Sequence, residues 1–368
     1  MENLEELRRE IAETDKSIIA LMKKRISIAH AIGEKKQSLN LPVKDYLIEK
    51  KVFERNQKKA KEIGLYEEMA HEISHLLIKY AVIAQDEIHR KKQEQASADR
   101  KKMLIIGGLG HMGQWLAHYF DSLGHTVSIA DKQTSIAKCR YPLIDNLEDS
   151  VLNADIIIIS TPISKTAEII HQLISYKPSA LIFDVCSLKS PILEAINKAQ
   201  KSGLKITSIH PMFGPSTEIL SGKNIVFCQT EQLDSDSLPL TYFSETSANL
   251  ITIPLEDHDK AMAYVLGLSH LANLVFAETL SQSGFSFEKL QELASSTFQA
   301  QINVVKPVTE ENQALYYEIQ ESNQYTQEMI QVFHSSLADF RKAIDEKDQP
   351  AFMHLMENCK KFFNGKIK

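Results

Sequence analysis

Cysteine is scarce and scattered in this chain of 368 residues: Cys139, Cys186, Cys228 and Cys359 form no CxxC pair. That spacing excludes a disulfide framework and a zinc site and suits reduced thiols, so no metal is expected. Long apolar runs are missing too. The longest, such as ADIIIIS, are far too short to cross a bilayer. No block of lysine and arginine interleaved with aromatics appears, and the net charge of −6 argues against a nucleic-acid partner. The N-terminus, MENLEELRREIAETD, is charged and periodic, unlike a signal peptide. These absences predict a soluble, cytoplasmic chain that acts on small molecules, with neither nucleic acid nor membrane as partner.

Glycine is almost absent from the first 90 residues, where only Gly33 and Gly64 occur. Residues 1–90 accordingly read as all helical, and the polar stretch HRKKQEQASADRKK places a linker at 91–101. From Met103 the period changes. MLIIGG, TVSIAD, ADIIIISTP, ALIFDVCS and KITSIHP are short β-rich runs separated by helical stretches, the pattern of a parallel α/β sheet. We place this α/β domain at 102–255 and a second helical domain at 256–368, which has few turn signals besides Gly284 and Pro307. Apolar content of 43% and charged content of 24% are ordinary for such a multidomain globular chain.

Arg8, Ile11, Asp15, Ile18, Met22, Arg25, Ala29, Ile32 and Lys36 recur at spacings of three and four, so they line one side of a single long helix. A helix of about 35 residues is about 50 Å long, too long for one small domain to cover, and a second copy of itself is the simplest partner. The cations Arg25 and Lys36 fall on that apolar line, where burial without a counter-ion is costly. Snorkelling or pairing with Asp15 is one explanation; a pocket for an anionic ligand is the other. Arg8 and Arg25 are 17 positions apart, roughly 25 Å along the axis. If both serve one small dianion, Arg8 must come from a second chain, which predicts a homodimer with shared sites.

The stretch LRREIAETDKSIIALMKKRISIAHAIGEKK, with LPVKD and VIAQDEIHR after it, resembles the all-helical chorismate mutase domain over essentially all of residues 1–90. The resemblance implies that Arg8, from the partner subunit, and Arg25 bind the two substrate carboxylates. It also implies that Lys36 and Gln85 contact the ether oxygen, that Glu49 holds the ring hydroxyl, and that Asp45 opens the helix carrying it. The implied reaction is the pericyclic rearrangement of chorismate to prephenate, which needs positioning and charge stabilisation but no nucleophile or cofactor. Two positions depart from the family pattern: Ile48 stands where arginine is usual, and Ala81 where serine is expected.

MLIIGGLGHMGQWLAHYF places Gly108, Gly110 and Gly113 as GxGxxG between an apolar strand and a helix. Such glycines permit a tight turn, close approach of backbone to a pyrophosphate and close helix packing. Asp131 ends the next strand, where a carboxylate accepts from ribose hydroxyls and repels a 2′-phosphate, so NAD is the expected cofactor, with Lys132 weakening the preference over NADP. Polar residues gather at later strand ends: Ser160-Thr161-Pro162, then Asp184, Ser187 and Lys189, then His210 in KITSIHPMFGPST. Ligands of open α/β sheets sit at these carboxyl ends, which raises His210 above a strand-capping histidine and makes Ser160 a candidate to orient its imidazole.

The strings GGLGHMG, ISTPI, DVCSLKS, IHPMFGP and EDHDKAMA are similar to prephenate dehydrogenase across about residues 102–340. Joined to the mutase-like helices, they make the whole chain resemble the bifunctional chorismate mutase–prephenate dehydrogenases of tyrosine biosynthesis. The resemblance implies a Rossmann-type NAD-binding domain and an all-α C-terminal dimerisation domain. It implies that His210 takes the proton of the prephenate C4 hydroxyl while hydride leaves C4 and the carboxylate is lost, giving 4-hydroxyphenylpyruvate. It also implies tyrosine as a possible effector, and substrate contacts from the helical domain for which His270 and Gln299 are candidates; His258 is a weaker one. An arginine that the family carries after SS is absent from SSTFQAQINVVKP, leaving Lys306 nearby and Arg341 as the only arginine beyond residue 255. Three other readings stay open at this point. Only the dehydrogenase is active, a 4-amino-4-deoxy analogue is the substrate, or the chain is an NAD-binding sensor without turnover.

Overall fold

Helix α1, Leu4–Ser38, spans the 35 residues that the seam periodicity requires. Acidic Glu5 and Glu6 open it and basic Lys35 and Lys36 close it, matching the helix dipole at both ends. Helices α2 (Tyr46–Ile63) and α3 (Glu67–Gln93) follow, and α3 packs against both α1 and α2. Helix α3 therefore runs into the stretch read as a linker. Among the described residues much of the apolar face of α1 has no cover: Ile11, Ile18, Ile28 and Ile32 are all exposed.

The computed structural model describes residues 4–38, 46–93, 100–132, 140–144, 146–217, 220, 223–230, 239–244, 246 and 248–365. They fall into two compact units, Met1–Ser187 with Glu194–Leu255, and Leu188–Leu193 with Glu256–Lys368.

In the first unit, β1 (Lys102–Ile106), β2 (Thr126–Ala130), β3 (Ile156–Ile159), β4 (Leu181–Asp184), β5 (Lys205–Pro211), β6 (Asn224–Gln229) and β7 (Asn249–Pro254) form one sheet in the order β2-β1-β3-β4-β5-β6-β7. The first five are parallel and β6 runs antiparallel to β5. β3 and β4 are buried along their whole length, which is why ADIIIIS reads as a continuous apolar run: helices cover both faces of a parallel sheet. Leu143 makes a single parallel bridge to Ile129 of β2. It occupies the place of the third strand in the 3-2-1-4-5-6 dinucleotide-binding order. The sequence pattern located β1 to β5; β6 and β7, with the antiparallel turn between β5 and β6, went unread.

One row of register partners crosses the sheet near its carboxyl ends: Ala130, Ile106, Ile159, Asp184, Ser208 and Cys228. Helix α4 (His111–Ser122) leaves the end of β1 and buries Leu116, Ala117 and Phe120 against the sheet. Helices α5 (Leu147–Asn153), α6 (Ile163–Tyr176) and α7 (Leu193–Lys201) connect the later strands.

The second unit is helical: α8 (Leu255–Met262), a π-helical turn over Ala263–Leu268, then α9 (Ser269–Ser281), α10 (Phe287–Glu292), α11 (Ser296–Glu310), α12 (Gln313–Ser322), α13 (Thr326–Asp345) and α14 (Gln349–Phe363). Pro307 sits inside α11, at the start of its last turn, rather than between helices, and removes the helical bond its N–H would make to the Asn303 carbonyl. The expectation that no apolar stretch reaches membrane-spanning length needs correction. Leu255–Ser281, 27 residues joined through the π turn, is long and apolar enough by length and composition. Counting uninterrupted apolar runs missed it, because polar residues punctuate the helix.

Candidate active sites

The nucleotide-type turn begins one glycine earlier than the GxGxxG pattern. Gly107 has φ of +81°, and a Cβ there would lie 2.4 Å from the Ser160 carbonyl oxygen. A Cβ at Gly108 would lie 2.5 Å from the Ile129 side chain, and one at Gly113 would lie 2.3 Å from the Gly107 carbonyl. Gly110 has φ of −66° and would meet only a 3.3 Å contact. The double glycine in IIGGLG was the available signal for Gly107. The turn is tied back by Gly107 N–H to the Ala130 carbonyl at 2.8 Å and by Leu109 N–H to Asp131 Oδ2 at 3.0 Å. No side chain caps the N-terminus of α4. An open helix N-terminus over a side-chain-free turn, with a carboxylate at the end of β2, fits a dinucleotide whose pyrophosphate lies on the backbone and whose ribose meets Asp131.

The turn sits where the chain departs from β1 to opposite sides, to β2 and to β3, the switch point at which open α/β sheets bind ligands. Ser160 follows β3, and its N–H donates to the Ile106 carbonyl at 2.8 Å. Asp184 and Ser208, fully buried, are register partners on β4 and β5. His210 is two residues beyond Ser208, so both side chains leave the same face of β5. β5 outruns β4 by this margin, and His210, 4% exposed, pairs in register with Val226. Strand β4 separates Ser160 from His210 by two strand spacings, roughly 10 Å between backbones. Asp184, Ser187 and Ser208 are the strand-end polar groups nearer to it in the topology.

The loop after His210 is anchored on the helix that opens the nucleotide turn. Phe213 packs edge-on to the Trp115 ring at 5.1 Å, and Trp115 Nε1 donates to the Thr217 carbonyl at 2.7 Å. Met212 N–H donates to the Asn224 carbonyl at 2.9 Å. One aromatic contact and two hydrogen bonds thus tie MFGPST to α4 and to β6. Thr166 Oγ1 in α6 bonds Thr161 Oγ1 at 2.9 Å and Cys186 Sγ at 3.0 Å, joining the loops after β3 and β4.

In the second unit, Asp259 is the hub. Its carboxylate accepts from Lys189 N–H at 2.8 Å, Ser190 N–H at 2.6 Å and His258 Nδ1 at 2.7 Å. Asn323 Nδ2 donates to its carbonyl at 2.9 Å. Burial alone would raise this carboxyl, but the bonds from His258, Ser190 and Lys189 outweigh it and hold Asp259 below the ordinary carboxylate range. His258, a candidate ligand contact by sequence, is fully buried beside Asp259. His270 stacks on Tyr316 with centroids 4.1 Å apart, and its Nδ1 is buried without a hydrogen-bond partner. Burial lowers the His270 pKa; burial first and Glu311 second raise that of Tyr316. Gln299 is elsewhere, exposed and bonded to Asn303 at 3.1 Å, in a groove of about 460 Å³ that also includes Lys306 and Pro307. Gln301, not Gln299, reaches the buried Asn273 at 2.9 Å.

In the N-terminal helices, Arg8 is exposed and pairs with Glu5 at 3.3 Å. Arg25 is half-buried, with Nη1 donating to the Leu77 carbonyl of α3; burial first and Arg55 second lower its pKa. Lys36 lies near the end of α1, partly buried. Gln85 is 7% exposed and its Oε1 has no hydrogen-bond partner. Asp45 lies outside the described residues, as do the side chains of Ile48 and Glu49.

Three family models cover most of the chain: chorismate mutase type II at residues 7–86, the nucleotide-binding domain of prephenate dehydrogenase at 117–251, and its dimerization domain at 254–358. The glycine turn precedes the second match and rests on its own geometry. The T-protein of Enterobacter agglomerans is 23% identical over 98% of this chain and 93% of its own length. The T-protein of Haemophilus influenzae is 22% identical over 99% and 93%. A chorismate mutase of Methanocaldococcus jannaschii is 34% identical over 22% of this chain and 81% of its own length. Among solved structures, prephenate dehydrogenase from A. aeolicus in complex with hydroxyphenyl propionate and NAD+ superposes with a TM-score of 0.58 at 19% identity, covering 74% of this chain and all of that one. Synechocystis arogenate dehydrogenase gives 0.56 at 21%, over 72% and 100%. These two likenesses concern the fold. With mutase, nucleotide-binding and dimerization models matched in order, and with T-proteins aligned along nearly its whole length, the chain belongs to the family of bifunctional chorismate mutase–prephenate dehydrogenases.

Proposed function

We propose that the N-terminal helices rearrange chorismate to prephenate and that the remainder oxidatively decarboxylates prephenate to 4-hydroxyphenylpyruvate with NAD as cofactor, two steps of tyrosine biosynthesis. The observation that carries the dehydrogenase reading is the arrangement at the sheet's carboxyl edge, where Asp131, Gly107, Ser160 and His210 all lie within two residues of one register row.

NAD, when bound, accepts a hydride. Gly107, Gly108 and Gly113 with the N-terminus of α4 hold its pyrophosphate, and Asp131 its adenosine ribose. Neutral His210 accepts a hydrogen bond from the C4 hydroxyl of prephenate and takes its proton as hydride leaves C4. The ring carboxylate departs as carbon dioxide, its bonding electrons complete the aromatic ring, and the C4 oxygen becomes the phenol oxygen. Ser160, at the mouth of β3, is placed to meet cofactor or substrate beside Gly107. Within the helical unit, His270, kept neutral by burial, and Gln299, in its separate groove, are proposed ligand contacts.

In the mutase pocket, Arg25 and the partner subunit's Arg8 hold the two carboxylates. Lys36 and Gln85 meet the ether oxygen, where negative charge grows as the C–O bond breaks, and Glu49 and Asp45 hold the ring hydroxyl and the helix that carries it. The uncovered α1 seam and the dimerization-type helical unit support a homodimer, in which the apolar face of Leu255–Ser281 has a protein surface to cover it. We infer a cytoplasmic enzyme, with tyrosine as its effector.

The test supplies chorismate with NAD+ and follows NADH, then repeats with prephenate. NADH from both substrates is expected. NADH from prephenate alone removes the mutase half, and no turnover of either, with NAD binding retained, removes both.

A further inference from the structure

Helices α1 and α2 reach one stretch of α3 at Leu77 and Ser74, each at or next to an arginine. Arg25 of α1 donates to the carbonyl of Leu77. One turn earlier on α3, Ser74 Oγ accepts from Asn56 Nδ2 of α2 at 3.0 Å while donating to the Ala70 carbonyl at 2.7 Å. Arg55, adjacent to Asn56, donates from Nε to the Asn56 Oδ1 at 3.4 Å. Arg55, whose side chain is exposed, thus stands next to the residue that ties α2 to the α3 turn that Arg25 grips from α1. Among the described residues neither arginine meets a carboxylate. The two are close enough that the charge of Arg55, after burial, depresses the Arg25 pKa.

Two like charges near one another repel, and burial of one of them raises that cost. An anion between or beside them would relieve that repulsion, and paired guanidinium forks match carboxylate geometry. A second, independent observation points to a ligand on the same helix. Gln85 lies eight residues after Leu77, two turns along the same face, and its Oε1 is buried without a partner. An amide so placed meets a polar group of whatever fills the pocket. Arg55 stands two turns beyond Ile48 in α2, so the helix retains a cation despite the neutral residue there.

We infer that Arg55 is a carboxylate-binding residue of the mutase pocket, supplying from the same chain a second guanidinium beside Arg25 for a small dicarboxylate. The inference rests on the mutase reading for the identity of the dicarboxylate. It changes the charge count of that pocket: one carboxylate is held by a pair of arginines within one chain, leaving the partner subunit's Arg8 for the other.

The experiment compares Arg55→Gln and Arg55→Lys with the wild-type full-length chain. Chorismate turnover should show a KM raised about 10-fold or more in Arg55→Gln, with a smaller rise in Arg55→Lys, since ammonium keeps the charge without the fork. Dehydrogenase activity on prephenate should be unchanged in both, which certifies the fold. Chorismate kinetics within twofold of wild type in Arg55→Gln overturn the inference. If the wild-type chain does not convert chorismate, the mutase reading fails, and calorimetric titration with a stable oxabicyclic dicarboxylate still decides about Arg55. Weaker binding in Arg55→Gln supports the anion site; equal or absent binding in both chains overturns it.

Discussion

Gly107 and Ser160 meet backbone to backbone: a methyl group on Gly107 would stand 2.4 Å from the Ser160 carbonyl oxygen. The end of β1 and the end of β3 are therefore held closer than any side chain allows, and the floor of the nucleotide turn is their contact. Gly107→Ala adds that collision to a left-handed φ that disfavours alanine by about 1 kcal/mol or more. The turn must open to relieve it. We expect NAD affinity to fall at least about tenfold, the equivalent of about 1.4 kcal/mol, with chorismate turnover unchanged. Trp115, the only tryptophan, lies in the helix that leaves this turn, and quenching of its fluorescence by added NAD+ measures the loss. Unaltered affinity would show that the turn does not carry the pyrophosphate.

His210→Asn keeps a polar side chain of similar reach but removes the titratable nitrogen. NADH formation from prephenate should drop by roughly 100-fold or more, the usual range for a lost general base, while Trp115 quenching by NAD+ stays as in wild type. In the wild-type enzyme, kcat/KM for prephenate should decline toward acid pH as the imidazole takes a proton, and the residual activity of His210→Asn should lack that limb. A variant that retains wild-type turnover removes His210 from the reaction.

How far the sequence reached follows from what each residue's signal depends on. The five parallel strands were legible because buried β-branched runs between turn residues have few other homes, and His210 because it follows such a run. Local pattern could not tell that β4 would lie between Ser160 and His210, since strand order is a property of the sheet and not of any strand. The same limit hid Arg55, whose neighbour Arg25 is 30 residues away in sequence and on another helix. Asp259 carries no local signal of its role within EDHDKAMA, because its partners Lys189 and Ser190 are 70 and 69 residues away and only the folded chain brings them to it. Pro307 reads as a turn signal, yet it lies within the last turn of α11 at the cost of one helical hydrogen bond.

Asp259 and His270 give the helical unit two separate acid sensitivities. Burial holds His270 below the ordinary imidazole value of 6.5, so the unfolded chain takes up that proton first and stability declines as pH falls below about 6.5. Asp259 is held below its ordinary value of 3.8. Its contribution is complete above that value and is lost only as pH falls through it toward the lower folded value. Thermal melts across pH should therefore show an early decline that His270→Phe abolishes and a late one that Asp259→Asn abolishes. At neutral pH, Asp259→Asn should itself cost about 2–3 kcal/mol, because the charged acceptor of three hydrogen bonds is gone. A neutral-pH melt unchanged in Asp259→Asn would contradict the hub assigned to it.

The exposed seam of α1 and the length between Arg8 and Arg25 make complementation the sharpest test of a shared mutase site. Arg8→Ala and Arg25→Ala chains should each be nearly inactive on chorismate, because every homodimeric site then lacks one cation. In a mixed dimer, the site built on the intact Arg25 of the first chain receives the intact Arg8 of the second, while the other site loses both. Random pairing of the two chains makes half of all dimers mixed, so co-expression should restore about one quarter of wild-type sites in a twofold-symmetric assembly. Recovery near that fraction, appearing only when the chains fold together, requires Arg8 to act across the interface. If co-expression restores nothing, both arginines serve the same chain or Arg8 serves none, and the seam joins two copies without joining their sites.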